Sequence, residues 1–305
     1  MDFSKFQLRE EGLIQHFENE LTCQQEIKIK VARLDWIHSK FAGNKLFKLQ
    51  QHLNSFSTHK HSSIISFGGP FSNHLFSLAA ICNELQIPSV GIIRSYNEVN
   101  NPTIEALRKM NMNLVFLPKT GFDHFTESAR TDFIEVHNLK DKTGEKPFWI
   151  ELGGEGSLGV QGASLIWPFL LKNHAEQLKS ITHIIVSVGT GTTFLGLRQS
   201  IPNHIRCIGV SSFKGGEKYV LENEALTPFN KDILNQYAGL GFGKNNSDDL
   251  AFYQLLKNQH QLDLDIVYTG KTFKALLNEI SLGNIEKGAE VLFVHTGGQQ
   301  GNPKA

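Results

Sequence analysis

Short apolar runs that end in glycine recur along this chain, and each is followed by a stretch of helical periodicity. SSIISFGG (62–69) leads into SNHLFSLAAICNEL (72–85), and HIIVSVG (183–189) leads into TTFLGLRQS (192–200). A short apolar run rich in β-branched residues suits a strand covered on both faces, as in a parallel sheet. SVGIIRS (89–95), NLVFL (113–117), FWIELGG (148–154), IRCIGVSSF (205–213) and EVLFVHTGG (290–298) read the same way. Ile27, Ile29 and Val31 alternate with polar residues and predict an early strand. Helices are predicted for PTIEALRKM (102–110), with Pro at its start, for TFKALLNEI (272–280), and for SLIWPFLLKNHAEQL (164–178), broken at Pro168. The mixed-charge stretch after NLVFL, to about 147, is assigned no element.

Strands alternating with helices predict an α/β fold with mostly parallel sheets. Two such clusters, at about 62–120 and 148–298, predict two domains. With 305 residues, 40% of them hydrophobic, the chain can bury one large core or two moderate ones. Its 30 basic and 30 acidic side chains cancel, so no global field draws it to nucleic acid or an acidic membrane surface. Cys23, Cys82 and Cys207 lie far apart and form no CxxC, which fits a reducing compartment. The N-terminal MDFSKFQLREEG lacks a signal-peptide run, and no stretch approaches the ~20 apolar residues of a membrane span. The expectation is a cytoplasmic protein.

In open α/β sheets ligands sit beyond the carboxyl ends of the strands. Three strands here end in polar, glycine-rich loops: SFGGPFSNH, SVGTGTT and VHTGG. In SVGTGTT, Gly189 and Gly191 let the backbone approach a ligand, and the next amides open a helix. Thr190, Thr192 and Thr193 add hydroxyls. The result is an anion cradle suited to phosphate; the plainer alternative is a tight turn capped by threonine. A dinucleotide is disfavoured, because Gly196 falls at the wrong spacing and IRCIGVSSF ends in Ser211 and Ser212 with no acid. A Walker loop is disfavoured too. YTGKT (268–272) has the ending, but Asp265 stands where the first glycine belongs. His59 and His61 flank Lys60 without a third ligand, so no metal site is expected. Ser72 lacks the G-x-S-x-G of a hydrolase elbow.

FAGNKLFKL (41–49) places Lys45 after a Gly-Asn pair at a helix start. A phosphate cradle combined with a buried lysine is what pyridoxal phosphate requires. Such a lysine must spend time neutral, and burial favours that. The ordinary alternative is a solvated helix residue, and spacing alone leaves both open.

Several segments together resemble one family, the 1-aminocyclopropane-1-carboxylate (ACC) deaminase and D-cysteine desulfhydrase family of pyridoxal-phosphate enzymes. GNKLFKL resembles its GNKxRKL and SFGGPFSNH its SxGGxxSNH. ELGGEGSLGVQG resembles its GGS-containing loop and SVGTGTT its phosphate loop. AGLGFG, VYTGK and VHTGG resemble its AGxxYG, VYxGK and HxGG. The order is the family order, over about residues 27–298. The resemblance implies a two-domain, three-layer αβα fold of the tryptophan-synthase-β type (fold type II). Residues 1–45 and 151–305 would form a large cofactor domain and 46–150 a small one, in a homodimer.

Carried over, Lys45 matches the Schiff-base lysine and Lys48 a lysine near the cofactor phosphate. Gly189, Thr190, Gly191, Thr192 and Thr193 match the phosphate loop. Asn73 matches the asparagine that faces the phenolic oxygen of the ring. Ser72, Asn73 and His74 match the segment that receives the substrate carboxylate, with Ser72 also assisting proton transfer, and Tyr268 matches a catalytic tyrosine. Thr269 and Thr296 fall at the pyridine nitrogen, where ACC deaminases carry Glu and Leu. A hydroxyl withdraws charge less than a carboxylate does, which favours β-elimination over cyclopropane opening. Phe242, in the substrate pocket, replaces the family's usual tyrosine, and Phe47 replaces the basic residue of GNKxRKL. The implied activity is a lyase or deaminase acting on a small amino acid, foremost D-cysteine, giving pyruvate, ammonia and sulfide. ACC deamination, racemisation, β-replacement and non-catalytic binding are the alternatives.

Overall fold

The computed structural model describes residues 6–299 and 302, apart from 42, 59, 60, 124, 126, 138, 140–145 and 242. The strands are β1 (Ile14–Phe17), β2 (Lys28–Arg33), β3 (Ile64–Gly68), β4 (Ser89–Arg94), β5 (Met112–Leu117), β6 (Phe148–Ile150), β7 (His183–Val188), β8 (Arg206–Ser211), β9 (Ile233–Leu234) and β10 (Glu290–His295). They form two sheets. One has the order β1-β2-β10-β7-β8-β9 and is parallel except for β1. The other, β5-β4-β3-β6, is wholly parallel.

The helices are α1 (Glu20–Gln24), α2 (Asn44–Thr58), α3 (Asn73–Glu84), α4 (Pro102–Lys109), α5 (Lys119–Asp123), α6 (Glu127–Val136), α7 (Ser157–Ala163), α8 (Ile166–Leu178), α9 (Thr192–Ser200), α10 (Gly216–Glu222), α11 (Ser247–His260) and α12 (Thr269–Ser281). Layers on both faces of a parallel sheet explain the unbroken apolar runs: every residue of β3 and β7 is buried. One apolar cluster joins the two sheets, taking in Leu49 of α2, Leu75 and Leu78 of α3, Ile166 and Leu170 of α8 and Val186 of β7. Each such side chain contributes about 1.5–3 kcal/mol.

Four local expectations change. β1 was not foreseen, because IQHF turns only its two end residues inward. Part of the unassigned stretch forms α5 and α6. After Ile150 the chain leaves the strand for a 3₁₀ turn at Leu152–Gly154, where Gly153 and Gly154 take positive φ. Pro168 does not break α8: it sits in the first turn, where its missing N–H has no intrahelical acceptor. The irregular residue is His174 (φ −131°), whose Nδ1 lies 2.9 Å from Gln177 Oε1 and whose Nε2 lies 3.1 Å from Glu10 O.

The placement of α2 depends on a close helix contact. A Cβ at Gly162 of α7 would collide with the backbone of Phe47 and Lys48. Only glycine lets α7 press that near, and this contact fixes the helix that carries both candidate lysines. Phe47, where a basic residue was expected, is buried edge-on to Phe169 at 5.2 Å.

Candidate active site

The carboxyl ends of β3, β7 and β10 open into one cavity of about 1750 Å³. Lys45, Lys48, Ser72, Asn73, His74, Gly189, Thr190, Gly191, Thr192, Thr193, Tyr268 and Thr296 all line it. The three loops singled out in the sequence therefore meet, as their common position at strand ends requires.

Gly43 sets up Lys45. It has φ +97°, and a Cβ there would overlap the Thr296 carbonyl oxygen. Its amide donates to Leu34 O at 2.8 Å, and the Asn44 amide donates to Thr296 O at 3.3 Å. The chain thus enters α2 pressed against the end of β10. Asn44 Nδ2 donates to Thr193 Oγ1 at 2.7 Å, and Lys45 Nζ donates to Asn44 Oδ1 at 3.3 Å. Desolvation pulls the half-buried Lys45 down to about 8, and the negative charge of Asp265 limits the fall. Lys48, one turn on, is buried and donates to Thr190 Oγ1 at 3.5 Å. Desolvation and then the Lys45 charge push Lys48 well below its ordinary value, with Glu155 opposing.

Two lysine amines thus share a cavity with the start of α9. Gly191 caps that helix with φ +81°, and Thr190 Oγ1 and Thr192 Oγ1 lie 2.9 Å apart. Tyr219, which lines the cavity, donates to Thr190 O at 3.3 Å. Crowded lysines whose charge an anion would restore, amides at a helix start and hydroxyls suit a phosphate dianion. This donor set fits the phosphate of pyridoxal phosphate, and Lys45 lines the same cavity.

The start of α3 also lines the cavity. Ser72 caps that helix and accepts from the Leu75 amide at 3.1 Å. Asn73 points across the cavity, since a Cβ on Gly298 would collide with Asn73 Nδ2. The His74 side chain does not fit a carboxylate contact. It is buried, with Nε2 2.7 Å from Ser66 Oγ. The Ser66 hydroxyl donates to Ile150 O at 2.7 Å, so the proton between them belongs to Nε2. Nδ1 is then a bare acceptor, and desolvation and then Lys45 and Lys48 hold the ring neutral. A lone pair does not receive a carboxylate, so the ring supports the loop and any anion contact of His74 falls to its backbone amide in the first turn of α3.

Thr269 is the second correction. It is fully buried and is absent from the cavity wall. Its hydroxyl donates to Asp265 Oδ2 at 2.6 Å and accepts from the Asp265 amide at 2.8 Å. Asp265 Oδ1 also accepts from the amides of Val267 and Tyr268 and Oδ2 from that of Thr269, at 2.8–2.9 Å. The hydroxyl is consumed by this cap of α12 and cannot serve a ring nitrogen; Thr296 does face the cavity. Tyr268 is enclosed, and desolvation and then Asp265 keep its phenol protonated. Phe242 lies outside the described residues.

Sequence reasoning missed Asp265, Asn44 and Gly43 as parts of the site. Gly43 and Asn44 stand within the GNK segment itself. Asp265 precedes VYTGK by two residues, and its only signal is an acid placed to cap the helix that follows.

The model of the family described as pyridoxal-phosphate dependent enzyme matches residues 25–297. The chain belongs to this family. Among curated relatives, the mitochondrial bifunctional D-cysteine desulfhydrase/ACC deaminase of Arabidopsis thaliana is 27% identical, over 89% of this chain and 72% of that one. A putative ACC deaminase of Thermotoga maritima is 26% identical over 92% of both. A D-cysteine desulfhydrase of Klebsiella pneumoniae is 26% identical over 89% of this chain and 87% of that one. The crystal structure of an ACC deaminase homologue superposes with a TM-score of 0.77 at 23% identity, covering 98% of this chain and 94% of that one, a likeness of fold. This pyridoxal-phosphate enzyme therefore has the fold expected of type II, and its cofactor is the one the phosphate cradle and lysine suggested.

Proposed function

We propose that this pyridoxal-phosphate enzyme catalyses α,β-elimination on a small amino acid, foremost D-cysteine, releasing sulfide, pyruvate and ammonia. The observation that carries this choice is the wall beside Thr296. Of the two positions where an ACC deaminase would carry Glu and Leu, Thr269 is turned to Asp265 and Thr296 brings a hydroxyl. The Asp265 carboxylate has four donors of its own and is absent from the cavity wall. Neither of these two positions brings a carboxylate to the wall; Asp35, which lines the cavity, is paired with Arg33. A substrate whose own leaving group removes the charge suits such a wall. Relatives named for this activity lend support.

When bound, the cofactor withdraws electrons from the substrate α-carbon. Lys48 and the Gly189–Thr193 loop would hold its phosphate, and Asn73 would face its phenolic oxygen. Amides at the start of α3, with Ser72, would receive the substrate carboxylate. Lys45, neutral in a useful fraction because its pKa is near 8, would take the α-proton. Tyr268 keeps its proton and can supply one to the departing sulfur. The C–S bond breaks, the sulfur leaves with the electron pair, and the released enamine takes up water to give pyruvate and ammonia. We assign 46–150, with β3–β6, to a small domain that closes over this cavity and excludes water.

The test is product analysis with D-cysteine, L-cysteine and ACC. Sulfide and pyruvate in equal amounts from D-cysteine are expected. 2-Oxobutyrate from ACC without sulfide from either cysteine would replace this reading with deamination. Lys45→Ala should abolish the visible band of covalently held cofactor.

A further inference from the structure

The VYTGK segment contains a lysine that neither the phosphate cradle nor the proton transfers use. Lys271 lies in the first turn of α12 and is only 6% exposed. Its ammonium donates to the carbonyl oxygens of Ser212 at 3.2 Å, Ala238 at 2.9 Å and Gly241. An ammonium has three N–H donors, and here three acceptors take them. Ala238 O and Gly241 O also accept the amides of Gly241 at 3.1 Å and Lys244 at 3.2 Å, so the ammonium takes the second lone pair of each. The nearby carboxylates act on it only through space: Asp249 is paired with Lys274, and Asp265 is saturated by the cap of α12. A positive charge held by backbone carbonyls from separate segments is the arrangement by which proteins hold monovalent metal ions.

The three carbonyls come from parts of the chain that build the cavity wall. Ser212 follows β8 and precedes Phe213 and Lys214, which line the cavity; Ala238 and Gly241 bracket the turn at Leu240, which lines it too. Carbonyls that converge in a buried space repel one another unless a cation lies between them. Without a charge there, the segments at 212–214 and 238–241 would separate and the wall would open.

We propose that Lys271 is a tethered monovalent cation. The carbonyls of Ser212, Ala238 and Gly241 form a cation site that the chain fills with its own ammonium. The native protein is accordingly indifferent to potassium, and truncating Lys271 exposes a latent potassium site. Lys271 is a positioning residue, acting on the cavity wall through these backbone segments.

The experiment compares the holoenzyme with Lys271→Ala and Lys271→Met in potassium chloride and in tetramethylammonium chloride of equal ionic strength. The readouts are the thermal midpoint and retention of the cofactor band, neither of which depends on which amino acid the enzyme takes. The wild type should behave alike in both salts. Lys271→Ala should melt several degrees lower and lose cofactor in tetramethylammonium, then recover saturably as potassium is added. Lys271→Met, whose side chain fills the space without charge, should lose as much and not recover. A wild type that itself needs potassium would overturn the proposal. So would a Lys271→Ala protein that is unaffected in both salts, responds to both alike, or stays insoluble in potassium.

Discussion

Replacing Lys45 with methionine should make the cofactor-free protein more stable at neutral pH. Desolvation lowers this lysine from an ordinary 10.5 to about 8. For a base, a lowered folded-state value means that the unfolded chain binds the proton more tightly. Below pH 8 both states are protonated, and the folded state carries the full cost of enclosing the charge. Above 10.5 both are neutral and the cost vanishes. The shift corresponds to about 3 kcal/mol, and partial exposure of Lys45 brings this to about 2–3 kcal/mol. Methionine keeps the length of the stem and removes the charge, which also relieves Lys48, whose pKa is depressed in part by Lys45. The expected result is a melting temperature about 3–6 °C higher for Lys45→Met than for wild type at pH 7. The gap should close as pH rises from 8 to 10.5. Urea or thermal melts of both apo proteins at pH 7 and pH 10 measure it. A difference that stays constant with pH, or a methionine protein that is less stable at pH 7, would refute the view that this lysine is held at an energetic cost for its chemistry.

Other substitutions probe the supports of the site. Gly43→Ala must accommodate positive φ and a collision with Thr296 O, so a loss of about 2–4 kcal/mol and of the cofactor band is expected, read by thermal melts and absorbance. Asp265→Asn removes a charged acceptor from four donors; about 2–4 kcal/mol of stability should go, and Lys45 should titrate below 8 once the carboxylate that restrains its fall is neutral. Titration of Lys45 in the apo variant checks the second effect. Lys48→Ala should weaken pyridoxal phosphate by about 10–100-fold while leaving phosphate-free pyridoxal nearly unaffected, a contrast that equilibrium binding resolves.

The sequence by itself determined the main buried parallel strands and their order, because strands buried on both faces must be apolar throughout and must be separated by helices. β3, β4, β7 and β10 fall where SSIISFGG, SVGIIRS, HIIVSVG and EVLFVHTGG put them. It also determined which loops could bind a ligand, since strand-end glycines and helix starts are local features. It could not show β1, whose four residues acquire their role only by pairing with β2. Nor could it show which way side chains turn at the site. Thr269 and Thr296 look equivalent along the chain, yet one closes on Asp265 and the other meets the cavity. His74 follows Ser72 and Asn73 in a single motif, but the turn of α3 sends its ring to Ser66. Lys45, Lys48 and Lys271 are three lysines in sequence and three different environments in space: one beside a buried carboxylate's charge, one against threonines of the phosphate loop, one on three carbonyls. Local periodicity specifies what a segment becomes. Desolvation and the charge of distant segments, which only packing brings near, decide what each side chain can do.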